Sequence, residues 1–586
     1  MTIEIEVSMH SWLAPRRRAR KEINLKYLTA ADRVKYDEAM AKEWKNWLIF
    51  EAVIVVDPDK IPKEAQVVTT RWVHTDKNAI ARSSGRKVPL LAKSRLVVQG
   101  HKELGTFRSD SPTASLLAFN LVCSTAASKK WKLYAGDAPN AYLQGDPFQR
   151  LLVLRPPHPL PDENLAGKLL IAKSGIYGTR DAGRGFWLKL QRRIHAAGWI
   201  SHPLEPALFG LHDGDTLVGI MITHVDDLLY AGAGPVYEKA MNAIKKEFKL
   251  KENTGTFTFC GKQIIQDDTF TIYVGQEDAA NSLEFIDITP ARRKQFIATC
   301  TAEEVSEIRR VVGAVGWIAR QTRPDLLAAT SLLAQSLSGP KVLDIVGANS
   351  LVKNAIENAK FQLVFKSCAE IDYSSCRILG SSDAAFANAV KDGDKLKSQA
   401  GYVLGVRAKD GDALHFLEFS TGTVKRTCRS TLAAEANGLV SAVEAADYLR
   451  SVILALNNPN MVLSDLMDRG DVLPVQVYTD ARSVYDVVLK DTSRPQDKRL
   501  RVVIAQLREM FGVPGTTLHW IDNSMMLADA LTKLSAERGY LLKAITSNEW
   551  SDQVTEEALD IKKRIRDGRH ARAELARECK RQRKDD

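Results

Sequence analysis

Two aspartates stand side by side at Asp226-Asp227, between the apolar runs Gly219-Ile220-Met221-Ile222-Thr223-His224-Val225 and Leu228-Leu229-Tyr230. The runs read as two strands joined by a short turn, which puts adjacent like charges at a hairpin tip beside apolar backbone. Carboxylates placed so repel one another and lose solvation. A cation between them and a third carboxylate removes that cost. Such a cation is also what phosphoryl transfer on nucleic acid requires.

The bulk properties are compatible with that chemistry. A chain of 586 residues holds roughly three to five domains. An apolar share of 45% is ordinary for globular proteins, so long disorder is not expected. The net charge of +11 suits a polyanionic partner, although many basic proteins bind nothing acidic. The seven cysteines are an odd number without a CxxC pair, which argues against a disulfide framework or zinc knuckle and for a reducing compartment. No apolar leader precedes Arg16-Arg17-Arg18-Ala19-Arg20-Lys21, and no run of eighteen apolar residues follows, so no membrane association is expected. The arginine run reads as an import or nucleic-acid patch, or as plain solvated surface.

Along the chain, Ala31 to Ile49 carries Trp44, Trp47 and Leu48 at helical spacing. Strands are expected over 66–74 and 94–98, with a turn-rich stretch at Ser83-Ser84-Gly85-Arg86 between them. A buried helix is expected over 112–129, a short strand ending near Asp137, and a proline-rich loop over 155–165. A helix over 182–197 would place Phe186, Trp187, Leu190 and Ile194 on one side. The acid hairpin covers 216–231, followed by a helix over 235–248, strands over 256–275 and helices over 290–338 broken at Pro324. A new unit starts near 375. It has strands at 376–380, 399–406, 413–419, 475–479 and 517–521, helices over 431–455 and 498–511, and a final helix from Ser524. The tail beyond 555 is charged. Residues 562–586 hold eleven Lys or Arg against five acids, a solvated helix or a phosphate-binding extension.

Asp137 lies 89 residues before Asp226, after the run Trp131-Lys132-Leu133-Tyr134-Ala135-Gly136. Carboxylates from two strand ends converge where those strands are neighbours. Three together would hold two divalent ions, one activating a primer 3′-hydroxyl and one clamping a triphosphate. Oxygen ligands favour magnesium over zinc. The bland alternative is three solvated turn acids.

Ordered blocks between about 41 and 534 sharpen this reading. They are Glu43-Trp44-Lys45-Asn46-Trp47, Arg71-Trp72-Val73, Ala92-Lys93-Ser94-Arg95-Leu96-Val97-Val98-Gln99-Gly100, Asp137-Ala138-Pro139-Asn140-Ala141-Tyr142-Leu143, Tyr177-Gly178, Val225-Asp226-Asp227 and Thr322-Arg323-Pro324-Asp325. In order and spacing the chain resembles the reverse transcriptase and RNase H region of Ty1/copia-type LTR retrotransposon polyproteins. The resemblance implies an α/β and α+β chain: a right-hand polymerase of fingers, palm and thumb, a connection segment, and an RNase H-like mixed-sheet domain. Its expected divisions are an N-terminal helical extension (1–65), fingers and palm (66–255), thumb and connection (256–374), the RNase H-like domain (375–545) and a basic charged tail (546–586). Residues 305–335, with Arg309-Arg310-Val311-Val312-Gly313 and Trp317-Ile318, resemble the connection and imply packing and template handling. Asp137, Asp226 and Asp227 would be the polymerase carboxylates and metal ligands, Asp227 binding metal less directly. Tyr142 would exclude a ribose 2′-hydroxyl. Lys93 and Arg95 would hold the triphosphate, guanidinium matching phosphate in bidentate fashion.

Two positions depart from the family. His224 stands where a tyrosine is usual before Val-Asp-Asp; imidazole is smaller but still able to pack against a primer end. Asp181 stands where a glutamine is usual, and its charge would repel phosphate unless Arg180 or Arg184 neutralised it.

A second set of acids is Asp383 after a strand, Glu435 in the first turns of a helix, Asp480 after a strand and Asp529 in a final helix, at gaps of 52, 45 and 49. A mixed sheet can gather them into a two-metal phosphodiester-cleaving site, although many quartets drawn from 71 acids could be fitted so. Here the blocks Leu379-Gly380-Ser381-Ser382-Asp383-Ala384, Ser430-Thr431-Leu432-Ala433-Ala434-Glu435, Tyr478-Thr479-Asp480-Ala481 and Asn523 to Lys533 resemble the family's RNase H motifs, with Ala433 where a first glutamate is usual. All four acids are then implied catalytic residues and metal ligands.

The resemblance implies two Mg2+ per site, with Mn2+ as an alternative. The implied partners are an RNA template, a DNA primer, dNTPs, an RNA–DNA hybrid and other products of the same polyprotein. The hybrid would be read by shape and 2′-hydroxyls. It also implies a cytoplasmic element particle, with nuclear entry left open. Protease and integrase motifs are not recognisable here, so a truncated or processed polyprotein is expected. Two rival readings stand: a decayed or domesticated element protein that only binds nucleic acid, and a metal-dependent nuclease whose first half is structural.

Overall fold

The computed structural model describes residues 22–553 apart from 80–81, 83–86, 392–394, 467–472 and 491–494. The arginine run, the Ser83–Arg86 turn and the tail beyond 555 lie outside the described residues. The chain forms two compact units, the first built from residues 1–122, 131–266 and 276–283, the second from 123–130, 267–275 and 284–586.

In the first unit the strands are β1 (Val53–Val56), β2 (Val67–Asp76), β3 (Ala92–Val98), β4 (Leu133–Asp137), β5 (Val153–Arg155), β6 (Leu169–Ala172), β7 (Ile200–Ser201), β8 (Leu208–Asp213), β9 (Thr216–His224), β10 (Asp227–Gly232), β11 (Lys251–Thr254), β12 (Thr256–Phe259) and β13 (Lys262–Gln266). One sheet has the order β1-β6-β5-β2-β3 and another the order β11-β4-β10-β9-β8-β7. The strands β9 and β10 are apolar almost without interruption because both of their faces are covered. On one face Met221, Leu228 and Tyr230 meet Phe186, Leu190 and Ile194 of the helix Ala182–Ala196, and Tyr237, Met241, Ile244 and Phe248 of the helix Pro235–Phe248. The apolar spacings, 4 and 4 in the first helix and 4, 3 and 4 in the second, give each the stripe that seals this face. Pro235 fits the first helical turn, where its missing N–H costs nothing.

The helix Ala30–Ile49 starts at Thr29, whose hydroxyl accepts from Asp32 N–H, and buries Tyr36, Met40, Trp44 and Trp47. Trp44 and Trp47 pack with Trp72, Leu96 and Val98 of the β2–β3 ladder. Glu43 is buried beside them and accepts from Leu96 N–H at 3.4 Å; burial raises its carboxyl pKa. The Glu43–Trp47 block is therefore a docking face for the sheet.

The second unit contains β14 (Ile272–Gly275), β15 (Gln362–Phe365), β16 (Arg377–Lys391), β17 (Lys395–Arg407), β18 (Leu414–Thr423), β19 (Val475–Thr479) and β20 (Thr516–Trp520). Its five-stranded sheet runs β18-β17-β16-β19-β20. β16 to β18 are antiparallel, while β16–β19 and β19–β20 are parallel, the mixed pattern expected of an RNase H-like domain. The helix Thr431–Asn457 buries Ala434, Leu439, Ala442, Val443 and Ala446. Its Gly438 lies against the sheet: a Cβ there would meet Ala400 Cβ at 3.3 Å and Ala384 Cβ at 3.4 Å. That close approach lets Glu435, one turn earlier, reach the sheet.

The Thr322–Asp325 block is structural. Arg323 and Asp325 form a bidentate pair at 2.8 Å, both almost fully buried, and Arg323 also donates to the carbonyls of Ala355 and Asn358. The pair fastens the end of the helix Ala302–Gln321 to the end of the helix Val342–Glu357.

Two expectations need correction. Asp383 does not follow a strand but lies within the fifteen-residue β16, because small buried residues such as Ser381, Ser382 and Ala384 continue the ladder past Gly380. Asp529 is not in an α-helix. It sits in the 3-10 turn Leu527–Leu531, and the helix Gly539–Ser547 begins later.

Candidate active sites

In the first unit, Asp227 opens β10 opposite His224, so the turn between β9 and β10 consists only of Val225 and Asp226. Val225 has a φ of 61°, unfavourable for a β-branched residue and demanded here by a two-residue hairpin turn. On the other side β10 pairs with β4, and Asp227 stands opposite Asp137. Ala138 N–H donates to the Asp226 carbonyl at 3.0 Å, pinning the end of β4 to the hairpin tip. The expected convergence of Asp137 with the acid pair is thus built into the strand register.

The carboxylates sense one another. Burial raises Asp226, with a further contribution from Asp137. Burial, reinforced by Asp226 and Asp137, pushes Asp227 up to about 7. Lys93 and Arg95 on β3 act on Asp226 in the opposite sense. Lys93 is pushed down to about 8 by burial and by the neighbouring Arg95 charge. The Arg95 guanidinium lies over the Tyr177 ring at 4.7 Å, and its buried Nε has no hydrogen-bond partner. Tyr177 meets Tyr142 edge to face at 4.9 Å. Tyr142 sits in the 3-10 turn Ala141–Gln144, entered through Asn140 at a φ of 53°. Val98 N–H donates to the Tyr177 carbonyl at 2.8 Å, and a Cβ on Gly178 would strike the Val98 carbonyl at 2.1 Å. The Tyr177-Gly178 block therefore needs glycine for its close approach to β3. Lys93, Arg95, Tyr142 and the three aspartates form one electrostatically linked group, and His224 joins it through the hairpin.

Asp181 is neutralised, but not by the arginines expected. Arg180 donates to the Gly105 carbonyl, and Arg184 pairs with Asp110. The partner is Arg150, which donates to Asp181 at 2.7 and 3.0 Å and to Glu103 at 2.7 Å, with its guanidinium against Phe107 and Phe148. Arg150 is a residue that sequence reasoning missed, because nothing in local spacing couples positions 31 apart. Cys260 was missed too; its thiol is pushed up to about 12, mainly by burial and further by Asp227 and Asp226.

In the second unit the parallel register pairs Ser381 with Tyr478, so Asp383 within β16 and Asp480 just past the end of β19, each two residues further on, come level. Glu435 approaches from the helix and accepts from Ala384 N–H at 3.0 Å. Ligand oxygens of Asp383, Glu435 and Asp480 lie within 4.8 Å of one another, the one such trio of potential metal ligands among the described residues. Asp480 accepts from Asn523 at 2.7 Å, and Asp383 accepts from the Thr532 hydroxyl. Lys533 donates to Asp383 at 3.1 Å and also bonds Asp529. Asp529 thus joins the cluster through the lysine and stands outside the close trio.

Burial pushes Glu435 up to about 9, with Asp383 and Asp480 adding to the rise, and Asp480 is raised for the same reasons. Three carboxylates crowded away from water, acceptor-only and hard, match a divalent cation such as Mg2+. A raised carboxyl pKa means that the folded chain holds a proton which the unfolded chain has released. The contribution of Glu435 to stability is therefore most favourable below its unfolded value near 4.5 and is lost as pH rises towards about 9. With chelator present, the melting temperature is expected to fall between pH 5 and 9. Mg2+ should flatten that slope, and so should Glu435→Gln. Thermal melts across pH test this; a flat profile in chelator would show that the cluster carries no such strain.

The family model for reverse transcriptase (RNA-dependent DNA polymerase) matches residues 54–295, which contain the whole first group of site residues. This segment is a reverse transcriptase region of the Ty1/copia retrotransposon kind. The chain is similar to the Retrovirus-related Pol polyproteins from transposons RE2 and RE1 of Arabidopsis thaliana. With RE2 it is 25% identical over 299 residues, 48% of this chain and 20% of that polyprotein. With RE1 it is 21% identical over 423 residues, 69% of this chain and 27% of that polyprotein. The Transposon Ty1-DR1 Gag-Pol polyprotein of Saccharomyces cerevisiae is 20% identical over 481 residues, 75% of this chain and 25% of that polyprotein. The chain thus spans about a quarter of the length of these relatives. Among solved structures it resembles a foamy viral protease-reverse transcriptase in complex with ds DNA, at 11% identity and a TM-score of 0.46, over 86% of this chain and 71% of that one.

Proposed function

We propose that the chain copies RNA into DNA at Asp137, Asp226 and Asp227 and cleaves the RNA strand of the resulting hybrid at Asp383, Glu435, Asp480 and Asp529. The observation that carries the first half is the β4–β10 register that sets Asp137 beside the hairpin acids within the segment matching the reverse transcriptase family. The close trio of Asp383, Glu435 and Asp480 on an RNase H-like sheet supports the second.

Bound Mg2+ or Mn2+, two per site, would neutralise developing charge and favour ionisation of the attacking oxygen. The chain's own residues do the rest. Asp137 and Asp226 hold their carboxylates towards the primer end, and Asp227 braces them from the first position of β10. Lys93 and Arg95 receive the triphosphate. Tyr142 forms the floor under the incoming sugar, and His224 lies at the primer side. Asn523 and Thr532 orient Asp480 and Asp383 for the hydrolytic step.

Substrates would be RNA and DNA templates, a DNA primer, dNTPs and RNA–DNA hybrids, with other products of the same polyprotein as partners. Among the described residues no helix is long and apolar enough to cross a membrane. A cytoplasmic element particle, with nuclear entry left open, is the setting that fits this activity. The five-part division into extension, fingers and palm, thumb and connection, RNase H-like domain and tail belongs to the same proposal. The rival reading as a non-enzymatic binder leaned on His224 and Asp181, and the Arg150 pair removes the second of these reasons.

Primer extension on an RNA template and cleavage of a labelled hybrid, both with Mg2+, test the proposal. Tyr142→Ala is expected to admit ribonucleotides, narrowing sugar discrimination by about tenfold or more. Unchanged discrimination would remove Tyr142 from the sugar site.

A further inference from the structure

The four acids of the second unit do not stand alone. Asp383, Glu435 and Asp480 gather their oxygens into one trio, while Asp383 and Asp529 are bridged by the ammonium of Lys533. Asp383 is thus shared between two compartments of different character: one holds three carboxylates, the other two carboxylates and a cation of the chain itself. The lysine is held there by its backbone, since Lys533 N–H donates to the Asp529 carbonyl at 3.3 Å as the 3-10 turn closes. Its side chain is 34% exposed, against 1% for Asp383, so it has a route to solvent that the acid lacks.

We propose that Lys533 is a resident cation of this cluster, occupying the Asp383–Asp529 side, so that a divalent ion enters there only when the ammonium swings out. The inference rests on the nuclease reading above and adds to it a control on ion loading. The two ion positions become unequal. The trio fills at low Mg2+, while the Asp383–Asp529 side fills only against a competing positive charge, a strong competitor at a contact of about 3 Å in a part-buried site. Lys533 acts through the carboxylates it touches and is a positioning residue, setting the metal concentration at which hybrid cleavage turns on.

Lys533→Met and Lys533→Gln remove the charge, and Lys533→Arg keeps it. Mn2+ binding is counted by electron paramagnetic resonance in an Asp137→Asn/Asp226→Asn background, which silences the other site. Hybrid cleavage is followed against Mg2+ concentration in the same proteins. Circular dichroism selects folded variants, two neutral replacements being available. The expected result is that either neutral replacement lowers the half-saturating Mg2+ concentration by roughly tenfold and tightens a second Mn2+, while Lys533→Arg keeps the parental profile. An unchanged or raised half-saturation in the neutral variants overturns the inference. Asp480→Asn separates the two failures. If it abolishes Mn2+ binding and cleavage while the lysine variants are silent, the lysine role alone is wrong. If it changes neither, the nuclease reading is wrong and the inference falls with it.

Discussion

Asp226→Asn is expected to lower primer extension by about three orders of magnitude while leaving hybrid cleavage at the parental rate, and Asp480→Asn to do the reverse. The size follows from what each carboxylate does. Removing one charge from a cluster proposed to hold divalent cations would forfeit several kcal/mol of charge stabilisation, and about 1.4 kcal/mol is a factor of ten in rate. The independence follows from the placement. Asp226 sits at the β9–β10 turn within the first unit, and Asp480 follows β19 within the second, each with its own carboxylate neighbours. Asparagine keeps the shape of the side chain, so lost folding should not imitate lost chemistry. Synthesis that survives Asp226→Asn would end the polymerase assignment. Cleavage that survives Asp480→Asn would end the nuclease assignment.

The second large effect is on stability. Asp325→Ala is expected to destabilise the second unit by about 3–5 kcal/mol, because it strands the Arg323 guanidinium, which is 2% exposed, without its counter-charge. For a unit of this size that corresponds to a fall in melting temperature of about 10 °C. Replacing both partners by apolar residues, as in Arg323→Met/Asp325→Leu, should cost much less, since no buried charge is then left unpaired. Denaturant unfolding of the full chain with both variants decides this. A loss below about 1 kcal/mol for Asp325→Ala would mean that the pair contributes little beyond packing.

Some of this was legible in the linear chain for local reasons. The β9–β10 hairpin is written as two nearly unbroken apolar runs and the helices 182–196 and 235–248 in a period between three and four, and those patterns survive folding because each element buries one face or both. The acids at strand ends were legible for the same reason. The position of Asp383 is less legible. The run Ser381-Ser382-Asp383-Ala384 carries no alternation of apolar and polar side chains, so the length of β16 is set by its neighbours β17 and β19 and not by its own composition. The stretch from Ser524 reads as a helix carrying Asp529, yet at Leu527–Leu531 the turn tightens to 3-10 around the contacts of Thr532 and Lys533 with Asp383.

What the amino-acid sequence determined by itself is the set of local elements and the identity of the acids, because backbone propensity and side-chain period act over a few residues. What only the tertiary structure decided is which charges meet. Arg150 rather than Arg180 or Arg184 answers Asp181, Lys533 stands between Asp383 and Asp529, and Arg323 is buried against Asp325. Pairing energies depend on distance and on exclusion from water, and the two partners of a pair are brought together by strand register and helix packing that no stretch of a dozen residues contains.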